Sequence, residues 1–372
     1  MTAALAPVAD PPGAPAAPSV GGPSRRRVAV VTASYGAGHD RAAAALAAMF
    51  RAAGDHVDVL DAVALAPAGA GSLARRVYYT QLRCLPGTWG ATLRHLEPGM
   101  TAHTAATSAL RMLTRPLVRA VEGADLVVTT HPFASQALGH ARARGLLPVP
   151  VVTYLTDASV HPLWVHPAVD LHAALHEVAA AQARRWGGRT VVVRPALTTT
   201  PPAPAGPRLL PVTGHRYALL TGGSLGFGSL EASVSDVLAC AGWTPVVLCG
   251  TNRALRRRLA RRPEVIALGW RDDVPALMRD ADCVLDNAGG FSSLEALASG
   301  TPVVSYRPLA GHGQANAEAM ERAGLAPYVR EAGDLLRVLD AMAVAPRVDR
   351  LPSDGPRVCD AVASLVTVPG RA

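Results

Sequence analysis

Short continuous runs of apolar residues alternate with longer amphipathic stretches along most of the chain, from Arg27 onward. The runs are rich in valine, leucine and alanine, which is typical of strands that are covered on both faces. In the first half they predict strands over 27–32, 56–60, 125–130, 149–155, 171–175 and 190–193. In the second half they predict strands over 217–221, 244–249, 265–268, 283–286 and 302–306.

The amphipathic stretches between these runs predict helices. Their ranges are 41–53, 73–83, 104–121, 133–143, 229–241, 253–261, 274–279 and 292–298. Strands that alternate with helices indicate parallel sheets and an α/β fold. The stretch 198–214, "TTTPPAPAGPRLLPVTG", is rich in proline and glycine and predicts a linker between two domains, 27–197 and 215–345. Residues 1–26 are expected to be a disordered tail without a signal peptide, and 346–372 a C-terminal tail.

Composition limits the classes of partner. The chain has 372 residues, enough for two domains, and a net charge of +8. A basic balance favours an anionic membrane surface or an acidic substrate, whereas no zinc-finger or RNA-binding pattern points to nucleic acid. The five cysteines are scattered and never form CxxC, as in reduced cytosolic proteins. No apolar run reaches the ~18 residues of a membrane span.

Each predicted domain opens with a strand followed by a glycine-rich turn. These turns are Gly36-Ala37-Gly38-His39 and the stretch "LLTGGSLGFGSL" over 219–230. Glycines let the backbone approach a diphosphate, and the next helix offers unpaired N–H groups, although tight packing alone also explains such turns. A dinucleotide fingerprint fits Gly36 and Gly38, with Asp58 or Asp61 as the ribose acid. Its third small residue is replaced by Arg41, so a nicotinamide-dependent oxidoreductase is an alternative.

The segment 286–324 follows a strand that ends at Asp286. Ser292 and Glu295 have the spacing of a capping box at the start of a helix. Alternatively, a first-turn carboxylate beside a nucleotide site can bind both ribose hydroxyls. The two interpretations assign Glu295 to structure and to ligand binding, respectively.

Several motifs resemble the two-domain GT-B glycosyltransferases of family 28, which include the monogalactosyldiacylglycerol synthases and the lipid II-forming N-acetylglucosaminyltransferase. They are "SYGAGHDRAA", "TDASVHPLWVHPAVD", "LLTGGSLGFGSL", "VVLCGTN", "GGFSSLEALASGTPVV" and "GHGQANA". The likeness extends over residues 27–330. It implies a GT-B architecture, in which two Rossmann-like domains face each other across a cleft. It also implies transfer of a hexose from a UDP-sugar.

The resemblance assigns donor-binding roles to the second domain. It puts the diphosphate at Gly222, Gly223 and Ser224 and over the helix start formed by Gly289, Gly290, Phe291 and Ser292. It puts the uracil near Trp270, Arg271 and Val274, the nucleotide near Asn252, the ribose at Glu295, and the sugar near Gln314 and Asn316. The loop from Gly311 to Gln314 departs from the family's "GQE" pattern, so the identity of the sugar stays open.

The same resemblance implies that His39 is the general base, or orients the acceptor, and histidine is a residue type that suits proton transfer near neutrality. Asp157 is expected to orient His39 or to act as the base itself. Gly36, Gly38, His131, His161 and His166 are expected on the acceptor side, although each histidine also fits a structural role. Asn287 stands where retaining relatives carry a glutamate, which implies inversion. No metal and no cofactor is expected besides the UDP-sugar, since backbone amides can stabilise the leaving diphosphate.

Residues 72–121 intersperse arginines with leucine, tyrosine, tryptophan and methionine. Such a stretch suits a lipid acceptor at an anionic surface, although amphipathic helices packed on the sheet have the same pattern. Diacylglycerol is the first expectation, and a polyprenyl-linked sugar or a soluble natural product remains open. The sequence therefore predicts a cytoplasmic, peripheral inverting hexosyltransferase. The alternatives are an NAD(P)-dependent oxidoreductase and a non-catalytic nucleotide-sugar-binding protein.

Overall fold

Two parallel six-stranded sheets, one in each half of the chain, organise the computed structural model, which describes residues 25–197, 208–212, 214–347, 351 and 355–365. The first sheet comprises β1 (Arg27–Thr32), β2 (His56–Asp61), β3 (Leu126–Thr129), β4 (Val151–Tyr154), β5 (Leu171–Ala174) and β6 (Thr190–Val192). The second comprises β7 (Arg216–Thr221), β8 (Trp243–Leu248), β9 (Ile266–Leu268), β10 (Cys283–Asp286), β11 (Val303–Tyr306) and β12 (Tyr328–Val329).

Helices cover both sheets. Those of the first half are α1 (Ala37–Ala52), α2 (Ala62–Leu65), α3 (Ala70–Cys84), α4 (Trp89–His95), α5 (Thr101–Leu110), α6 (Thr114–Ala120), α7 (Pro132–Ala143) and α8 (Glu177–Arg185). Those of the second half are α9 (Leu230–Leu238), α10 (Arg253–Leu259), α11 (Val274–Asp280), α12 (Phe291–Ala298), α13 (His312–Arg322), α14 (Leu335–Ala343) and α15 (Val358–Ala361). Within the described ranges, none of these helices is both long and apolar enough to cross a bilayer.

The strand order places a crevice in each sheet. The first sheet runs β2-β1-β3-β4-β5-β6, and the second runs β12-β11-β10-β7-β8-β9. The order reverses beside β1 in the first sheet and beside β7 in the second. In open parallel sheets, ligands bind at such reversal points, beyond the carboxyl ends of the strands. The turns that follow β1 and β7 are therefore the positions where a ligand is expected.

The predicted strands agree with the structure to within two residues at each end, because continuous apolar runs form buried parallel strands. The predicted helix 104–121 is wrong as a single element: it divides into α5 and α6 around a short turn at Arg111–Leu113. Pro116 explains the break, since it has no N–H for the carbonyl four residues earlier and its ring clashes there. The sequence analysis did not predict β12, α2, α4, α8, α13, α14 or α15.

The end of the described chain returns to the first domain. Val358, Cys359 and Val362 are buried in the same apolar cluster as Val28 and Val193. The Arg194 amide donates to the Pro356 carbonyl at 2.9 Å, which adds a backbone contact to this packing. The prediction of a C-terminal tail over 346–372 is therefore wrong for residues 355–365, which pack into the first domain's core. Of the other predicted segments, residues 1–24 of the N-terminal tail and 198–207 and 213 of the linker lie outside the described residues, as do 348–350, 352–354 and 366–372.

We expect Val358→Ala to lower the free energy of unfolding by about 1–3 kcal/mol, because it empties a fully buried site. Urea denaturation followed by circular dichroism measures this change. Val344→Ala is the matched control, since Val344 is 75% exposed and its truncation should leave stability unchanged. Equal effects of the two substitutions would contradict the packing of residues 355–365 on the first domain.

Candidate active site

One cavity of about 840 Å³ lies between the carboxyl ends of the two sheets. The turn after β1, with Gly36, Gly38 and His39, forms part of one wall. The turn after β7 forms part of the opposite wall, and the start of α12 contributes next to it. The cavity thus joins the reversal points of both sheets.

His39 is held in one tautomer by the backbone. Its Nδ1 lies 2.8 Å from the Thr130 carbonyl oxygen, which can only accept a hydrogen bond. Nδ1 of the neutral ring therefore carries the proton, and Thr156 Oγ1 lies 3.2 Å from the same nitrogen. Nε2 has no hydrogen-bond partner in the described part of the chain, so its lone pair is available. Because His39 lines the cavity, its imidazole is set up to accept a proton.

His131 lies beside His39, and its ring proton is on the other nitrogen, Nε2 instead of Nδ1. The two rings are 4.7 Å apart in an edge-to-face arrangement. His131 Nδ1 accepts the Phe133 N–H at 3.2 Å as the N-cap of α7, so the ring proton is on Nε2. Burial, followed by the proximity of His39, lowers the pKa of His131 well below its usual range. His131 is therefore a neutral hydrogen-bond donor in the cavity wall.

The second domain presents backbone groups to the cavity. Gly222, Gly223 and Ser224 line it after β7, and Gly290, Phe291 and Ser292 line it at the start of α12. Position 222 requires glycine, because a Cβ there would lie 2.5 Å from the Phe227 carbonyl oxygen. The N–H groups and dipole at the start of α12 favour an anion.

Glu295 is buried and forms an ion pair across the cleft. Its Oε2 lies 3.1 Å from Arg41 Nη2, which also donates to Ser292 Oγ at 3.0 Å. Burial raises the pKa of Glu295 above its ordinary value, although the nearby charge of Arg41 offsets part of this rise. The capping-box interpretation is wrong: Gly290 is the N-cap of α12, without a side-chain cap. The hydroxyl of Ser292 accepts from Arg41 instead of capping the helix.

The far end of the cavity is apolar. Tyr78, Trp89 and Leu93 line it from α3 and α4, and Phe133 and Trp164 line it from the sheet side. Leu73 and Val77 of α3 also line the cavity, although they are 62% and 59% exposed, so this end opens to solvent. An elongated apolar group can therefore extend from the region of His39 to the surface.

Comparisons with known proteins agree with this geometry. Residues 39–195 match the family model described as monogalactosyldiacylglycerol (MGDG) synthase. A processive diacylglycerol beta-glucosyltransferase from Bacillus mycoides is 25% identical over 337 residues, 85% of each chain. The glycosyltransferase SnogD from Streptomyces nogalater superimposes with a TM-score of 0.57 at 21% identity, over 93% of this chain and all of that one. MurG from Acinetobacter baumannii superimposes with a TM-score of 0.53 at 17% identity, over 92% and 99%.

The chain has the GT-B fold. Its resemblance to the monogalactosyldiacylglycerol synthases and to lipid glycosyltransferases is confirmed by the family model and by the Bacillus relative. The predicted architecture of two Rossmann-like domains facing across a cleft is confirmed as well.

Asp157 lines the GT-B cavity, and the Thr130 carbonyl instead of Asp157 binds Nδ1 of His39. The predicted role of Asp157 as the base stays a prediction. Its carboxylate lies near the start of α12, where Oδ1 would be 3.7 Å from a Cβ at Gly290. The cavity also has an acid that was not predicted. Asp286 accepts from Ser293 Oγ at 2.8 Å and from the Gly289 amide, and burial raises its pKa. Asp286 thereby fixes the turn before α12.

Two of the predicted acceptor-side histidines have structural partners. His161 lines the cavity, but its Nε2 donates to the Leu93 carbonyl at 3.0 Å and its Nδ1 accepts the Leu163 amide. His166 lies outside the cavity wall and packs against Gly139, where a Cβ would lie 2.3 Å from the imidazole. Burial lowers the pKa of both rings.

Several predicted donor residues lie outside the cavity wall. Asn316 is fully buried, and its Oδ1 accepts the Ser159 N–H at 2.9 Å across the cleft. Gln314 is exposed and donates to Glu318 at 3.3 Å. Gly289 packs directly against Asn316. The two residues that were predicted to contact the sugar thus have intramolecular partners.

The residues predicted to bind the uracil and the nucleotide are not among those that line the cavity. Trp270 is 56% exposed and donates to Asp272 at 3.0 Å, and Arg271 pairs with Asp273 at the turn before Val274. Asn252 caps α10 by accepting the Leu255 amide at 3.0 Å. These assignments stay predictions.

Acidic residues that could suggest a metal site have other roles. Asp280 accepts the amides of Leu209 and Leu210, and Asp282 accepts the Tyr217 amide at 2.8 Å. In the described ranges, no group of three or more His, Cys, Asp or Glu residues could hold a metal ion.

Because His131 is neutral in the folded chain, it should make stability depend on pH. In the unfolded chain this residue takes up a proton below about pH 6.5. The unfolded state then binds more protons, so the free energy of unfolding should fall as the pH drops from 7 to 5. His131→Asn keeps an N-cap acceptor, but asparagine takes up no proton in the unfolded chain. The substitution should therefore reduce the change in the free energy of unfolding with pH by at most about 1.4 kcal/mol per pH unit.

Urea unfolding at pH 7 and pH 5 measures this difference. The exposed His56→Asn is the control and should retain the parental slope. An unchanged slope in His131→Asn would show that His131 takes up no additional proton on unfolding.

Proposed function

We propose that the protein is an inverting glycosyltransferase that moves a hexose from a UDP-sugar to the hydroxyl of a lipid such as diacylglycerol. One observation carries the proposal. A single cavity joins an imidazole with a free Nε2, a wall of backbone N–H groups and an apolar end that opens to solvent. These three features correspond to a base, a diphosphate site and a lipid site.

In the proposed reaction, the acceptor oxygen attacks the anomeric carbon of the donor in one displacement. His39 Nε2 takes the proton from the acceptor hydroxyl as the new C–O bond forms. The bond between the anomeric carbon and the diphosphate breaks, and UDP leaves with its electron pair. The amides of 222–224 and of the α12 start stabilise this negative charge, so we propose no cofactor besides the donor substrate.

The proposed ribose site is Glu295, which supplies a buried carboxylate for two hydroxyls. Arg41 now pairs with this carboxylate, so donor binding exchanges one partner of Glu295 for another. The same arginine argues against the oxidoreductase alternative. It stands where a dinucleotide fingerprint requires a small residue, and its side chain lines the cavity.

The proposed acceptor is a lipid that enters at α3 and α4 from an anionic membrane surface. Leu73, Val77, Leu85, Met100 and Met112 are exposed within residues 72–121, the stretch that contains most of these helices. The nearby arginines Arg76, Arg83, Arg94, Arg111 and Arg115 are exposed as well. Apolar groups that enter the membrane and cations that contact its headgroups bind a surface together. We therefore propose a peripheral protein at the inner face of the cytoplasmic membrane.

We expect His39→Ala to lower turnover about 10²–10⁴-fold, because the acceptor hydroxyl loses its base. Binding of UDP should persist, since His39 does not belong to the proposed donor wall. Release of UDP from UDP-glucose and UDP-galactose, with diacylglycerol vesicles as acceptor, measures turnover. His56→Ala should retain full activity. Undiminished transfer by His39→Ala would exclude His39 as the base.

Thermal unfolding with UDP, NAD or NADP tests the donor site directly. A ligand at 100 times its dissociation constant should stabilise the folded chain by about 2.7 kcal/mol. We expect a rise in the melting temperature with UDP and none with NAD or NADP. Stabilisation by NAD or NADP alone would contradict the glycosyltransferase proposal and favour the oxidoreductase. UDP binding with no transfer to any acceptor would favour the non-catalytic binding protein.

A further inference from the structure

A hydrogen bond connects the apolar end of the cavity to the loop before α13. Trp89 Nε1, at the start of α4, lies 2.9 Å from His312 Nδ1, at the start of α13. The two residues belong to different domains. Both side chains line the cavity, together with His39 and Asp157.

This bond determines the tautomer of His312. The indole nitrogen of tryptophan can only donate a hydrogen bond, so His312 Nδ1 must accept it. Burial lowers the pKa of His312, which favours the neutral ring. The proton of the neutral ring is therefore on Nε2, and among the described residues the ring's one hydrogen-bond partner is Trp89, at Nδ1.

The backbone is built to allow this contact. Gly90 of α4 packs against Gly311, whose φ is +79°. A Cβ on Gly311 would lie 2.9 Å from Gly90 Cα, and a Cβ on Gly90 would lie 3.2 Å from Gly311 N. The helix and the loop can approach closely because neither residue has a side chain. This approach brings Trp89 within reach of His312.

The chemistry beside His312 suits a hydroxyl group. Asp157 lines the same cavity, so a ligand there can meet a carboxylate acceptor as well as the Nε2–H donor of His312. A hydroxyl both donates and accepts, and a vicinal pair can satisfy the Nε2–H of His312 and the carboxylate of Asp157 together.

We infer that Trp89 is a positioning residue that holds His312 with its Nε2–H directed to a hydroxyl of the transferred hexose. The inference rests on the proposed function, because it needs a UDP-hexose in the cavity. It has a consequence for the acceptor region. The sugar contact is complete only while α4 packs on the Gly311 loop, so the helices of the acceptor side help to position the donor.

The test compares the affinities of UDP and UDP-hexose by calorimetry in the full chain. Trp89→Phe keeps an aromatic ring and removes the donor, so His312 can take either tautomer. We expect unchanged UDP affinity and an about three- to tenfold loss of affinity for the preferred donor, UDP-glucose or UDP-galactose. The matched control is Trp186→Phe, which changes a tryptophan that lies outside the cavity wall and is 39% exposed.

His312 variants separate positioning from packing. Glutamine carries its own N–H donor and needs no partner at Trp89, whereas alanine carries none. His312→Gln should therefore retain UDP-hexose affinity and His312→Ala should lose it, about three- to tenfold. In the His312→Gln background, Trp89→Phe should have no further effect, so the double-mutant cycle should give a coupling between the two residues.

The outcomes separate the two proposals. If the parent chain binds UDP and a UDP-hexose, and Trp89→Phe binds the sugar donor equally well, the inference about Trp89 is overturned while the proposed function stands. If no variant binds UDP or a UDP-sugar, both fall. Should Trp89→Phe lower the melting temperature, the His312→Gln and His312→Ala pair decides, and equal donor affinities in that pair would overturn the inference.

Discussion

A buried carboxylate constrains how the two domains meet. Glu295 lies inside α12, and a charged group at such a position is costly unless a cation accompanies it. That cation comes from the other domain, since Arg41 of α1 reaches across to Glu295 and Ser292. Phe291 and Leu294, on the same helix, pack into the first domain's apolar core. The pairing of this charge thus accompanies a close contact between α1 and α12, and Arg41, Phe291 and Ser292 of this contact line the cavity.

Three histidines that line the cavity, His39, His131 and His312, have Nδ1 bound by the protein, and that bond determines whether Nε2 donates or accepts. A carbonyl oxygen binds Nδ1 of His39, so its Nε2 is an acceptor. Donor groups bind Nδ1 of His131 and of His312, so Nε2 of each neutral ring is a donor. Of these three rings, His39 therefore has a lone pair on Nε2, whereas His131 and His312 have an N–H there. This distribution follows from backbone and indole partners, without a change in residue type.

The sequence predicted the features that depend on neighbours along the chain. Apolar runs predicted every strand except β12, which has two residues, and the glycine turns at Gly36 and Gly222 line the cavity as expected. The apolar pattern of α13, which begins directly after Gly311, was too weak to predict a helix.

Contacts across the cleft could not be predicted, since they join residues more than a hundred positions apart. Periodicity cannot show that Arg41 faces Glu295, that Ser159 binds Asn316, or that Trp89 meets His312. The spacing of Ser292 and Glu295 suggested a local cap, because a pattern of neighbouring residues carries no information about the distant Arg41.

The return of residues 355–365 to the first domain has a mechanical consequence. The chain passes from the first domain to the second after β6, and it passes back between α14 and α15. Two covalent crossings define a line, and rotation about that line is the relative motion that strains neither of them. A domain pair joined by a single crossing could also twist and slide. The GT-B halves of this protein are therefore joined by two separate chain crossings, which restrict their relative motion more than a single crossing would.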